Sequence, residues 1–437
     1  MPSEISPAPP EAQPVQPAES APPAPAARDR LGAFRALNHR NYRLYFGGQL
    51  TSLAGTWMQS AAQSWLVLKL TNSPMMLGTV SFAQFLPVLM VGLFAGVTVD
   101  RLDRRRLIIT TQTILMLSAF TLATLTWTGV VRVEHVMMLA ALNGTVAAFD
   151  MPGRQSFVVE MVGRDDLPNA IALNSMMVNG ARMIGPAVAG LIIASLGTAT
   201  CFFLNGVSFL AVIWSLTQMD VPRRTVSFPD AHLFKQLREG LTYVWRHRQL
   251  RHQIALSAVN NGFGDRYMVL IPLFARNLLH GDARTYGFLV AIQGLGSVLG
   301  AATLASRVTT RGIRNNLIAG LFLTATGILT FAVSRWFALS LAAQLIIGAG
   351  LTNFRASNNT LVQMFVSDDL RGRVMSTYQL STMGLGPIGA LEVGYLGSHW
   401  GPRQSVAVCG TISMICAITL LTQLKSIGAN PTEAQRE

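Results

Sequence analysis

The chain has 437 residues, 50% of them hydrophobic and only 13% charged, with a formal net charge of +13. Soluble domains carry about 25% charged residues, so this composition excludes an ordinary soluble enzyme and places most of the chain in lipid. The basic excess does not point to nucleic acid, because the Lys and Arg residues fall between apolar segments and form no basic domain.

Residues 1–30 are rich in Pro and Ala and lack an apolar core of signal-peptide type. With 31–33 they are expected to form a disordered cytoplasmic tail, leaving the first span to act as its own insertion signal. Spanning helices need roughly 20 apolar residues each. Six such segments run at about 44–68, 75–99, 107–128, 136–160, 170–195 and 199–217. Six more follow at about 253–278, 285–306, 316–334, 337–362, 374–397 and 405–424. An all-α integral membrane protein of twelve transmembrane helices is expected, with six-helix halves over 34–217 and 253–425, a cytoplasmic linker at 218–252 and a cytoplasmic tail at 426–437. In the linker, Leu233, Leu237, Leu241 and Val244 repeat at helical spacing against Lys235, Arg238, Arg246 and Arg248. That pattern predicts a basic amphipathic helix lying at the cytoplasmic membrane interface.

The second half rewrites the first. Asp165-Asp166-Leu167 recurs as Asp368-Asp369-Leu370 at an offset of 203, which also places Asn353 on Asp150 and Gln363 on Glu160. Gly185-Pro186 recurs as Gly386-Pro387 at offset 201, and the stretch from Leu77-Gly78 to Pro87 matches Tyr286-Gly287 to Gly296 at offset 209. A duplicated set of spans creates a central site that can open to either side, which points to a transporter.

Cations are unevenly shared between the loops. With a cytoplasmic N-terminus, the inner loops carry Arg101, Arg104, Arg105, Arg106, Arg164, Arg223, Arg224, Arg307, Arg311, Arg314, Arg371 and Arg373 besides the linker's own. The outer loops carry only Lys69, Arg132, Arg276, Arg284, Arg335 and Arg403. The positive-inside rule then puts both termini in the cytoplasm.

The loop after the second span reads Gly96-Val97-Thr98-Val99-Asp100-Arg101-Leu102-Asp103-Arg104-Arg105-Arg106. Together with the twelve-span, two-half layout it resembles the signature loop of the major facilitator superfamily, apart from Asp103, where that pattern prefers glycine. Gly55-Thr56-Trp57-Met58-Gln59, Gln84-Phe85-Leu86-Pro87, Phe149-Asp150-Met151-Pro152 with Arg154-Gln155, and Asn169 to Asn174 narrow the match. They are similar to the branch that holds the enterobactin exporter, macrolide-efflux proteins and transmembrane secretion effectors. The resemblance covers roughly residues 34–425. It implies two pseudo-symmetric halves, a bacterial cytoplasmic (inner) membrane, and export of a small organic molecule such as a siderophore, drug or other amphiphile, with protons as coupling ion; a monomer is the default expectation.

Ionisable residues inside spans are functional candidates, because each costs about 2.5–3.5 kcal/mol on insertion scales. Here they are Asp150, Arg154, Arg182, Asp265, Arg266, Arg355 and Glu392. Asp150 and Arg154 share a helix face four residues apart. The resemblance implies a gate in which Asp150 or Glu160 meets Arg101 or Arg104; a permanent intrahelical pair is the other reading. For Arg104, Arg105 and Arg106 anchoring at the inner interface stands beside gating, and Asp100 is expected to dock its span on a helix N-terminus of the other half. Offset 209 sets Gly264-Asp265-Arg266 on Gly55-Thr56-Trp57, in spans that line the central cavity of such a fold. Asp265 either carries the coupling proton or pairs near the outer end of span seven. Glu392 has no cation within a turn of its helix; it is protonated and hydrogen-bonded, or it binds a proton or a substrate cation. Arg182, which shares span five with Asn174 and Asn179, favours an anionic substrate or neutralises Asp150 or Glu392.

The run Asn179 to Gly190, with Gly185, Pro186 and Gly190, partly resembles the antiporter motif of drug exporters. Gly386-Pro387 copies it in the second half, and close packing by small residues explains both equally well. Cys201, Cys409 and Cys416 lie in apolar spans with no metal-ligand spacing, and no GxxxxGK[ST] loop or local nucleophile signature occurs, so no metal, cofactor or enzymatic activity is expected. Alternatives to export are an uptake permease, a uniporter or a lipid flippase, and more remotely a non-transporting receptor or scaffold.

Overall fold

A computed structural model describes residues 30–220, 233–305 and 310–428, nearly all of them helical. The first half comprises α1 (Arg40–Thr71), α2 (Pro74–Asp100), α3 (Arg104–Trp127), α4 (Val133–Val162), α5 (Leu167–Leu196) and α6 (Thr198–Thr217). After the linker helix α7 (Leu233–Arg246), α8 (Arg248–Val259) opens a seventh crossing that continues through uneven turns to Leu278. Then come α9 (Ala283–Ala305), α10 (Thr310–Val333), α11 (Phe337–Met364), α12 (Asp368–Gly384), α13 (Gly386–His399) and α14 (Pro402–Gly428). Helix starts follow local chemistry. Ser73 accepts from the Met76 N–H at 3.4 Å, with Pro74 in the first turn of α2. Asp103 accepts from the Arg106 N–H at 3.0 Å, so the residue that departs from the superfamily's glycine is the N-cap of α3.

Among the described residues, nine helices are long and apolar enough to cross a membrane. The other three expected spans have distinct reasons for falling short. Helix α1 buries Gln49, Ser52, Gln59 and Gln63 in place of apolar residues, and Asn205 of α6 donates to Gln59 Oε1 at 2.7 Å. The seventh crossing is broken around Asp265, and the eleventh is divided between α12 and α13 at Leu385.

The two halves pack alike. In the first, α2 lies on α4, α3 on α4 and α6, and α1 on α5 and α6; in the second, α9 lies on α11, and α10 on α11 and α14. The repeat extends to single backbone contacts. A β-carbon on Gly144 of α4 would collide with the Gln84 carbonyl of α2, and one on Gly348 of α11 with the Gln293 carbonyl of α9. Lipid offers no hydrophobic drive for helix association, so such close approaches supply the packing energy.

The halves meet along two seams, α2 against α13 and α5 against α9. Both are closed at the end remote from the termini. The Met75 N–H donates to Ser398 Oγ at 3.1 Å, Asn277 Nδ2 donates to Asn72 Oδ1 at 3.4 Å, and Trp65 stacks on Tyr286 with centroids 5.9 Å apart. A β-carbon on Gly190 would lie 2.7 Å from the Ala283 carbonyl oxygen. Contact persists to mid-depth, at Gly294 with Met183 and Leu89 with Gly384. One turn nearer the terminal end on the same helix faces, Gly92 and Gly180 have nothing within 4 Å of a built β-carbon. The seams therefore open toward the end that carries the termini.

At that end, turns over Arg30–Asn38 dock on the start of α5: the Ala36 N–H donates to Asn169 Oδ1 at 2.9 Å, and Asp166 pairs with Arg35 at 2.9 Å and His39 at 2.8 Å. Helix α7 packs on α12, with Glu239 2.7 Å from Arg373; Val244 is buried and Leu241 is exposed. The expected tails (1–29 and 429–437), linker residues 221–232 and Arg307 lie outside the described residues, as do the side chains of Lys235, Leu237 and Arg311.

Candidate functional site

The seventh crossing breaks where its sequence is richest in Asn and Gly. Over Asn260–Gly264 the helix widens, and the Asp265 N–H donates to the Asn260 carbonyl at 3.0 Å, five residues back. The chain then tightens over Arg266–Leu270, and Pro272, with no N–H of its own, follows in the next turn. Widening has a chemical consequence. The Asn261 carbonyl, passed over by the Asp265 N–H, accepts from Arg266 Nε at 3.0 Å. The Asn261 side-chain oxygen accepts from Arg355 Nε of α11 at 3.1 Å. The Asp265 carboxylate, only 5% exposed, pairs with Arg355 Nη2.

Sequence proximity suggested Asp265 with Arg266, near the outer end of the span. The structure puts Asp265 midway along Arg248–Leu278 and pairs it with Arg355 of another helix. Arg266 points instead across the seam, its guanidinium 5.6 Å from the Phe85 ring of α2. Gly386 leaves the room: a β-carbon there would lie 2.7 Å from Arg266 Nη2.

Arg182 of α5 reaches the same depth from the first half. Its guanidinium lies 4.8 Å from the Trp57 ring centroid, and its Nε is buried with no hydrogen-bond partner. Of the two acids considered for it from sequence, Asp150 is held by Arg154 of its own helix. Gly185, one turn on, packs against Trp57, a built β-carbon meeting Trp57 Cβ at 2.6 Å. The repeat is thus realised in the site, with Gly185 beside Trp57 in one half and Gly386 beside Arg266 in the other. Pro186 and Gly190 belong to the α5–α9 seam, and Pro387 is buried at the start of α13.

The remaining candidates lie elsewhere. Asp150, 1% exposed, pairs with Arg154 at 2.5 Å and accepts from Thr111 Oγ1 at 2.7 Å and Gln112 Nε2 at 3.0 Å. It meets neither Arg101 nor Arg104. Arg104 pairs with Glu160 at 2.5 Å, and Arg105 donates to the Leu216 and Thr217 carbonyls at the C-terminal end of α6. Arg101 is exposed; Gly96 lies in the last turns of α2, and the side chain of Asp100 lies outside the described residues. Glu392, half-buried on α13, has an Oε2 without a hydrogen-bond partner. Asn179 donates to the Ser175 carbonyl of its own helix, and Asn174 is half-buried on α5. Sequence reasoning missed Asn261, which braces both arginines, and the buried chain from Gln293 through Tyr267 to Gln344 at 3.0 and 2.9 Å. Gln293 had a signal, since it repeats Gln84.

Residues 31–436 match the family model described as transmembrane secretion effector. The staphyloferrin A transporter of Staphylococcus aureus is 23% identical over 86% of this chain and 94% of its own length. The multidrug efflux pump Tap of Mycolicibacterium fortuitum is 26% identical over 80% and 88%. Among solved structures, the nucleoside transporter NupG superposes with a TM-score of 0.70 at 14% identity, covering 89% of this chain and 99% of that one, a likeness of fold. The family match and this architecture agree, and the chain belongs to the transmembrane secretion effector branch of the major facilitator superfamily of membrane transporters.

Proposed function

We propose that this transporter exports a small organic molecule, a siderophore, drug or other amphiphile, by alternating access coupled to proton influx. The observation that carries the reading is the pair of seams. They are closed at one end down to mid-depth and open at the other, and the charged cluster around Asp265 lies at that depth. The Arg-rich loops lie at the open end, and the positive-inside rule assigns that end to the cytoplasm of a bacterial inner membrane. This state then loads from the cytoplasm, as an exporter must. Similarity to a protein named as an efflux pump supports the outward direction. Asp265 and Glu392 are the proton carriers we favour, because Asp150 already accepts from three partners within its own half. Proton entry supplies about 2.3 kcal/mol per charge per 100 mV. Arg104 and Glu160 form the inner gate of the first half, and the monomer is the working unit.

Everted membrane vesicles from cells lacking their main efflux pumps test this directly. On energisation they should accumulate a transported dye or siderophore, a protonophore should abolish accumulation, and Asp265→Asn at equal membrane abundance should reduce it. Accumulation that ignores the protonophore removes proton coupling. Accumulation in whole cells instead of everted vesicles replaces export by uptake.

A further inference from the structure

Resting on that transport reading, we infer that the central site takes an amphiphilic anion: a molecule with two or more acidic groups joined by an apolar or aromatic body. Three guanidinium groups enter this depth: Arg355 from α11, paired with Asp265; Arg266 from the seventh crossing, beside Phe85 and Gly386; and Arg182 from α5, over Trp57. Asp265 pairs with Arg355. That leaves two positive charges at mid-membrane, where an uncompensated charge is costly. Two acids of the first half are engaged away from the cluster: Asp150 holds Arg154 and Glu160 holds Arg104. Glu392, if ionised, offsets one charge and leaves the other.

Two observations show that the cations are arranged to receive a ligand. Arg182 keeps a buried Nε without an acceptor, though its guanidinium is held over Trp57. Arg266 is fixed through Nε by the Asn261 carbonyl, which leaves its two Nη groups to form a fork toward the seam beside Phe85. The lining is also asymmetric. Where the first half has Trp57, the repeat places Arg266, so aromatic faces and guanidinium groups confront each other. One acidic group would meet the Arg266 fork beside Phe85 and another the Arg182 guanidinium over Trp57, with the apolar body between them. Among these guanidinium groups a cationic drug would meet three like charges and a carboxylate, Asp265, that is already paired.

Two xanthene dyes with one skeleton and opposite charge provide the test. The full chain in phosphatidylcholine nanodiscs is titrated with carboxyfluorescein, a polycarboxylate, and with rhodamine 6G, a cation. Carboxyfluorescein should bind at least tenfold more tightly, and Arg266→Gln and Arg182→Gln should each weaken it about tenfold or more, while Arg266→Lys weakens it less. A salt titration of the unaltered chain, from about 0.05 to about 0.5 M NaCl, is independent of any folding defect and should loosen carboxyfluorescein severalfold. Absence of carboxyfluorescein binding, tighter binding of rhodamine 6G, or indifference to salt overturns the inference. Replacing part of the lipid by phosphatidylglycerol separates two sources of the same chemistry: competition marks an anionic lipid headgroup, and unchanged binding a soluble acid. Bound carboxyfluorescein that fails to move in proteoliposome counterflow would sink the exporter reading and leave this one standing. Transport of rhodamine 6G without carboxyfluorescein binding would do the reverse.

Discussion

Asp265 and Arg355 join the seventh crossing to α11 at the point where the seventh crossing changes its turn geometry. Arg355 is braced a second time, by Asn261 Oδ1 at 3.1 Å, so carboxylate and amide grip one guanidinium from successive turns. The first half has no such link. There the repeat places Thr56 at the Asp265 position, and its hydroxyl donates to the Ser52 carbonyl of its own helix at 2.9 Å.

Removing one partner of this pair should cost more than removing both. Asp265→Asn or Arg355→Gln alone leaves an unpaired charge, with an expected loss of about 1–3 kcal/mol. That is below the value for a fully buried pair, because the Arg355 side chain is 41% exposed. The double variant should recover at least half of the larger single loss. Thermal unfolding in one detergent measures the cycle, and strictly additive losses would mean the pair contributes no coupling.

The backbone contacts duplicated in the two halves lead to a matched pair of outcomes. Gly144→Ala would drive a methyl into the Gln84 carbonyl, and Gly348→Ala into that of Gln293. Each should forfeit about 2 kcal/mol or more through overpacking and lower the yield of monodisperse protein. Gly47→Ala, with nothing within 4 Å, is the control and should be neutral or gain about 0.5–1 kcal/mol of helix propensity. Fluorescence-detected size exclusion compares the three.

Arg104 and Glu160 tie the loop after α2 to the end of α4 at 2.5 Å, with side chains 16% and 21% exposed. If the contact gates the cytoplasmic side, Glu160→Gln should slow transport severalfold with little change in thermal stability. The exchanged pair Arg104→Glu with Glu160→Arg should restore part of the rate. Loss of stability in step with rate would reduce the contact to scaffolding.

The fold was legible in the sequence because its signals are local: twelve apolar stretches, arginines sorted to one side, and a repeat anchored on Gly185-Pro186 and Gly386-Pro387. The site was legible in its members and not in its pairings. Asp265, Arg266, Arg182 and Arg355 stand out as charges in apolar spans, but spacing favours neighbours on one helix. The partner of Asp265 is set by how α11 packs, which local spacing does not encode. Nor could hydropathy announce that Asn261 would free its carbonyl for Arg266, since widening the helix by one residue depends on the tertiary contacts that accept the displaced groups. Asp103 is the opposite case. Its departure from the family's glycine is explained by one local bond, to the Arg106 N–H.

Closure at the end remote from the termini can be locked. Asn72 and Asn277 face each other across the halves with side-chain amides 3.4 Å apart, at the tip of α1 and at the end of the seventh crossing. The three native cysteines are buried, so an oxidant should act on an introduced pair and spare them. Asn72→Cys with Asn277→Cys should cross-link in the resting protein, and the bond should halt transport until a reductant is added, because a cycle that never opens this end cannot release substrate. Substrate that draws the population toward the opposite state should lower the cross-linking rate, and a ligand indifferent to the two states should leave it unchanged. Full transport by the oxidised double variant, with the cross-link verified by mass spectrometry, would show that the halves need not part at this end and would rule out alternating access through the seams.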